Sequence, residues 1–204
     1  RKGGSYTMKD YPLSKSRIMD GIFCERKLWL KKHKKEVATP FTDFQKYLMN
    51  NGIKVGKLAH ALYPTGKVVE GGWFNPETAV SETERLINED TPALFEAAFL
   101  NDGLLFLADV AINHGHNDIE IHEVKSSASV KDEHYMDVAI QQYIAQKAGY
   151  NVSKTKLIYL DKNCVFDGST NIFNNEDITD GSFELLNEVE NVIPSLKELV
   201  KRAD

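Results

Sequence analysis

Asp109 is the one charged residue in Leu104-Leu105-Phe106-Leu107-Ala108-Asp109-Val110-Ala111-Ile112, a run that is apolar on both sides of a strand's alternation. A carboxylate in such a place is costly unless a basic side chain or a bound cation compensates it. Asp109 therefore reads either as half of a buried salt bridge to a lysine or as a ligand. In the next run, Ile119-Glu120-Ile121-His122-Glu123-Val124-Lys125, alternation puts Ile119, Ile121, Glu123 and Lys125 on one face. Glu123 and Lys125 then project side by side, next to the strand that carries Asp109. Two carboxylates held close repel each other, and a divalent cation relieves the repulsion. Hard oxygen donors suit Mg²⁺ or Mn²⁺. Such a site can activate water and stabilise the charge that builds on a phosphodiester.

The elements that must position these groups follow from the pattern around them. The apolar runs 94–100 and 104–112, with Asn101-Asp102-Gly103 between them, predict a β-hairpin. Residues 114–118 predict a second turn and 119–125 a third strand. Glu96 lies on the first strand in an apolar setting, either as a further acidic partner of the site or paired with a lysine. Upstream, the spacing predicts helices over 14–33, 42–63 and 75–88 and a short strand over 67–70. In the second helix Leu48, Val55, Leu58, Ala59 and Leu62 fill one side. Downstream it predicts a helix over 132–148, a strand over 157–160 and a helix over 182–201. The order argues an α/β domain whose mixed sheet has a central antiparallel meander and is flanked by helices. His114, His116, His122 and His134 read as solvated, and His122 faces away from Glu123.

Asp109, followed 14 residues later by Glu123-Val124-Lys125, resembles the D…ExK signature of the PD-(D/E)XK nuclease superfamily. Gly56-Lys57-Leu58-Ala59-His60 resembles the GxxxH motif of the RecB-type branch. Gln141 falls on the helix after the third strand, where that branch carries a glutamine. Residues 14–30, with Cys24-Glu25-Arg26-Lys27, resemble the opening of the CRISPR-associated adaptation nucleases of the same branch. The stretches 13–33, 95–110, 123–149 and 159–179 resemble bacterial proteins with an N-terminal RecB-like nuclease domain. This makes the chain one candidate domain of a longer protein, and a further domain or protein partner a candidate companion.

The resemblance implies a restriction-endonuclease-like fold with Asp109 and Glu123 as metal ligands and His60 ligating through a neutral imidazole. The backbone carbonyl of Val124 would be another ligand, with Glu96 as a further one. Lys125 would orient or polarise the attacking water, and Gln141 would position Lys125 or a phosphate. Read alone, His60 is an ordinary core or surface histidine and Gln141 an ordinary polar helix residue. Two departures stand out. The adaptation nucleases hold an iron–sulfur cluster on four cysteines; this chain has only Cys24 and Cys164, so no cluster is expected. The branch places a tyrosine four residues after its glutamine; here that position is Ala145, and Tyr143 is off register.

Composition bounds the rest. The 204 residues are enough for one domain with a proper core. Residues 1–7 read as a tag or linker and 8–204 as a single nuclease-like domain. No apolar run approaches the roughly 18 residues needed to span a bilayer, and two cysteines suit a reducing cytoplasm. Net charge is -5, but it is uneven: the first 35 residues hold 11 Lys and Arg against 3 Asp and Glu. That basic segment either steers a polyanion or solvates a helix end. The expectation is a Mg²⁺- or Mn²⁺-dependent deoxyribonuclease in repair, recombination or defence. It would be exonuclease-like and act on single-stranded DNA or free ends. The alternative is a dormant module of the same fold that binds nucleic acid or a protein.

Overall fold

The computed structural model describes residues 13–165 and 172–202. The hairpin forms as its turn residues dictate. β3 (Ala93–Asn101) and β4 (Leu104–Gly115) are joined by Asp102 and Gly103, both at positive φ, as a tight two-residue hairpin turn demands. His116 and Asn117, also at positive φ, turn the chain into β5 (Asp118–Lys125), so the three strands make the expected meander. α5 (Asp132–Lys147) then crosses over to β6 (Asn151–Leu160), which pairs parallel with β5. β7 (Phe173–Asp177) is antiparallel to β6, and β2 (Lys67–Val68) is parallel to β3. The order is β2-β3-β4-β5-β6-β7, and the short β1 (Leu13–Ser14) lies parallel to β4 at Leu104 and Leu105. This is the mixed, helix-flanked sheet of a restriction-endonuclease-like α/β fold.

Several boundaries differ from the sequence expectation. The helix expected over 14–33 is two, α1 (Lys15–Phe23) and α2 (Glu25–His33), broken at an extended Cys24. Asp20, buried on α1, binds Lys27 and Lys31 of α2 and folds one helix against the other. Gly21 permits that approach, since a Cβ there would stand 2.8–2.9 Å from Leu196 and Leu28 methyls. α3 (Asp43–Ala59) starts at a Thr42–Gln45 capping box and runs into a single 3₁₀ turn, His60–Leu62. Its expected apolar side is buried only at Val55 and Ala59; Leu48, Leu58 and Leu62 are exposed. α4 (Pro76–Asn88) is capped by Asn75. β6 begins six residues earlier than expected and β7 was not foreseen. The C-terminal helix divides into α6 (Thr179–Glu184) and α7 (Leu186–Lys201).

The main core runs from Leu13 to Val200, with Phe99 stacked on Phe106 at a centroid distance of 5.0 Å and Tyr150 edge-on to Phe99, and a smaller cluster forms around Val138, Leu157 and Ile178. No helix among the described residues is long and apolar enough to cross a membrane. The meander rests on this aromatic layer. Phe106→Ala is therefore expected to lower unfolding free energy by about 3–5 kcal/mol in a urea titration, and a loss below 1 kcal/mol would remove the layer from the core.

Candidate active site

The sheet opens where its charges sit. The β3–β4 ladder pairs Phe95 with Val110 and Ala97 with Ala108, which sets Glu96 opposite Asp109, yet that one pair is missing. Glu96 has a φ of 57°, a left-handed conformation that costs a non-glycine residue of order 1–3 kcal/mol. The β4–β5 ladder ends at Val110–His122, one step before Asp109 would meet Glu123. Glu96, Asp109 and Glu123 thus occupy consecutive register positions across three neighbouring strands, in the place where backbone pairing lapses. The Asp109 carboxylate fills part of the gap by accepting the Val124 N–H at 2.7 Å. β5 continues beside β6 as far as Lys125–Tyr159, while β1 takes up the β4 edge that β5 leaves.

Basic side chains converge on the last carboxylate. Lys125 Nζ donates to Glu123 Oε1 at 2.6 Å, Lys15 Nζ to the same oxygen at 2.9 Å, and Gln141 Nε2 to Glu123 Oε2 at 2.6 Å. Asp137, one turn before Gln141 on α5, binds both Lys125 and Lys15. The arrangement of α5 is periodic: residues 137 and 141 share a face and reach β5 together. Burial pushes the Asp109 carboxyl up, and nearby Glu123 adds to it, giving a pKa of about 7. Burial also acts to raise Glu123, but Lys15 and Lys125 outweigh it and hold that carboxyl well below the usual carboxylate range. Both lysines are raised: burial opposes their charge, and Glu123 and Asp137 more than restore it.

A cavity of about 720 Å³ is lined by His60, Glu96, Asp109, Glu123, Val124 and Lys125, so the residues singled out from the sequence share one space, with Gln141 behind Glu123. The His60 ring lies flat on Phe95 at 3.9 Å between centroids, and burial with the Lys57 charge lowers its pKa, favouring neutral imidazole. Glu96 takes no hydrogen bond or ion pair among the described residues, so the lysine partner expected for it is absent there; burial and Glu123 raise its pKa. As placed, no three His, Cys, Asp or Glu side chains among the described residues stand close enough to hold an ion. Convergence is thus on a common cavity rather than into a closed ligand cluster, with both Glu123 oxygens engaged by Lys15, Lys125 and Gln141.

Sequence reasoning missed Lys15 and Asp137. Each is an ordinary charged residue in its own helix, and the long-range contacts that single them out span more than a hundred positions for Lys15 and Glu123. Two histidines also need correction. His122 is buried, hydrogen-bonded to the Tyr63 hydroxyl at 2.6 Å and to Glu120 at 2.8 Å. His134 is buried, and its ring accepts the Lys131 N–H at the start of α5. His114 and His116 are exposed as expected.

No protein-family model matches the sequence, and no curated protein matches it. Among solved structures the chain is similar to LHK-Exo, an exonuclease, in complex with dAMP. The TM-score is 0.51 at 11% identity, covering 95% of this chain and 92% of that one. A second match, the crystal structure of SSO0001, has 13% identity over 95% of this chain and 77% of the other, and its TM-score of 0.36 carries no argument. The likeness to LHK-Exo is one of fold.

Two stability outcomes follow from the charge balance. An acid whose pKa is higher folded than unfolded holds its proton more tightly in the folded state, so stability falls as pH rises from its unfolded value of 3.8 through about 7. Asp109→Asn keeps an acceptor for the Val124 N–H and removes that cost. In chelator it is expected to melt several degrees above the parent near pH 8, with the gain falling to less than half near about pH 5. A lower melting temperature at both pH values would make Asp109 a stabilising partner instead. Lys15→Met, which strips a cation from a buried network, is expected to lower unfolding free energy by about 3–5 kcal/mol. No change in a denaturant titration would show that Lys125 alone compensates Glu123.

Proposed function

We propose that the chain is a metal-dependent nuclease that hydrolyses DNA phosphodiesters in the cavity lined by His60, Glu96, Asp109, Glu123 and Lys125. The observation that carries this reading is the row of three carboxylates across β3, β4 and β5 with a lysine against the last of them. The chemistry of the carboxylates suits Mg²⁺ or Mn²⁺, since their oxygens are hard and Glu96 is unpartnered among the described residues, although the side chains as they stand do not close into a ligand cluster. Asp109, Glu123, Glu96, His60 and the Val124 carbonyl would hold the ion. When bound, such an ion polarises a water and neutralises charge on the phosphate.

The chain's own groups do the rest. Lys125 keeps its proton because Glu123 and Asp137 stabilise the ammonium, so it presents a fixed positive charge to the attacking water or to a phosphate oxygen. Gln141 fixes the second Glu123 oxygen, and an ionised carboxylate can only accept, which sets the amide orientation. Lys15 and Asp137 hold this constellation to α1 and α5. The cavity falls within the range of pockets that take small molecules. LHK-Exo is described with dAMP, a mononucleotide, which favours release of single nucleotides from an end over internal scission. Repair, recombination or defence are the settings such chemistry serves.

A dormant module of the same fold is the second reading. It is favoured by the full engagement of the Glu123 oxygens by Lys15, Lys125 and Gln141 and by the lack of a closed ligand cluster among the described residues. Cleavage separates the two. On end-labelled single-stranded, duplex and circular DNA, nucleotides are expected to be released from ends with Mg²⁺ or Mn²⁺, with no reaction in chelator and circles resistant. Glu123→Ala and Lys125→Ala should each lose about a thousandfold in rate while keeping the far-UV circular dichroism of the parent. No cleavage under any condition would leave the dormant module, and full activity in either variant would move the chemistry elsewhere.

A further inference from the structure

α3 lines the cavity with one end and stands away from the domain with the other. Every residue from 41 to 50 is exposed, and Val55 and Ala59 are the buried residues of the helix. The projecting half is nevertheless apolar: Phe44, Tyr47, Leu48, Met49 and Ile53, and Phe41 just before the helix, are each at least 50% exposed. So dense a run of bare rings and aliphatic chains marks an interaction surface rather than scattered surface hydrophobes.

Its pattern discriminates between partners. A helix that docks in a protein groove presents one stripe. Here Phe44 and Leu48 share one side, while Met49 and Ile53 share another about 140° round the axis. Basic residues are interleaved with them: Lys46, Lys54 and Lys57 against the single acid Asp43, which is itself paired with Lys46 at 3.1 Å. Lysines are depleted from protein-docking cores, whereas rings alternating with cations suit stacked bases and their phosphates. Further along, Gly52 and Gly56 lie one turn apart, a Cβ on either would meet nothing within 4 Å, and both line the cavity with Ile53 and Lys57. The helix thus gives a ledge bare of side chains at Gly52 and Gly56, between the exposed rings and the carboxylate row.

We infer that the outer half of α3, with Phe41, is a stacking platform for the unpaired bases of a single DNA strand that feeds the cavity across Gly52 and Gly56. The platform rests on the nuclease reading for its substrate, but its binding is measurable without cleavage. Lys54 and Lys57 neutralise phosphates on the ledge, and Phe41, Phe44 and Tyr47 take base faces. Stacking makes this contact tolerant of sequence.

The test uses the full chain in chelator, with a fluorescein-labelled oligothymidylate of about twenty nucleotides and a blunt duplex of equal length, read by anisotropy. Phe44→Ala combined with Tyr47→Ala removes two exposed rings from a helix they do not anchor. The double variant is expected to bind the single strand at least about tenfold more weakly, with duplex binding and melting temperature unchanged. Turnover of the p-nitrophenyl ester of thymidine 5′-phosphate with Mn²⁺, a substrate too short to reach the rings, should also be unchanged. Failure of the parent to turn over that ester counts against the nuclease reading and leaves the binding result to be judged alone. Equal single-strand affinity in parent and variant overturns the platform. So does an equal loss on duplex, or a parent dimer in light scattering that the double variant converts to monomer, which would make the face a contact between copies.

Discussion

The structure depends on how three carboxylates are tolerated in the middle of a sheet. Glu96, Asp109 and Glu123 come into register on adjacent strands, and at an effective dielectric of about 20 two like charges about 5 Å apart repel by roughly 3 kcal/mol. The chain answers this in three ways. Backbone pairing lapses around Asp109, Asp109 itself is driven toward its neutral form, and two lysines, Lys125 from the same strand and Lys15 from a distant part of the sequence, close on Glu123. A sheet selected for stability alone would fill these positions with apolar residues, as it does at Ala97, Ala108 and Val110 beside them.

This compensation explains why the fold is arranged as it is around the site. Lys15 arrives because β1 pairs with β4 along the edge vacated by β5, and α1 starts directly after it. Asp137 and Gln141 arrive because the crossover from β5 to β6 lays α5 across the same strands. The left-handed backbone at Glu96 is a local strain in the central meander, and it coincides with the carboxylate row. The missing Glu96–Asp109 pair, the early end of the β4–β5 ladder and the left-handed Glu96 all fall on the carboxylate row, as expected where a site rather than the core sets local structure.

The meander was legible because its signals are short-range: apolar runs, Asp102-Gly103, His116-Asn117, and one charge where none belongs. The same logic exposed Asp109, Glu123 and Lys125, and it could not expose Lys15 or Asp137, whose significance exists only once α1 and α5 are packed. β7 was hidden because Phe173-Asn174-Asn175-Glu176-Asp177 is polar and gains its strand from pairing with β6. The break at Cys24 was hidden for a similar reason, since Asp20 and its two lysines act across the helix junction. His122 and His134 looked solvated because nothing in their neighbours announces Tyr63 or the Lys131 cap. The apolar side of α3 shows as a pattern in the sequence, but its exposure at Leu48, Leu58 and Leu62 does not: periodicity reports a face, not what covers it.

Cation binding at the carboxylate row is the central claim, and calorimetric titration of the metal-free protein with Mn²⁺ tests it most directly. The account predicts saturable binding that Asp109→Asn weakens by at least about tenfold, with protons released near pH 7 as Asp109 ionises to bind the ion. Identical heats in the two proteins, or none in either, would contradict it and return Asp109 to a structural role.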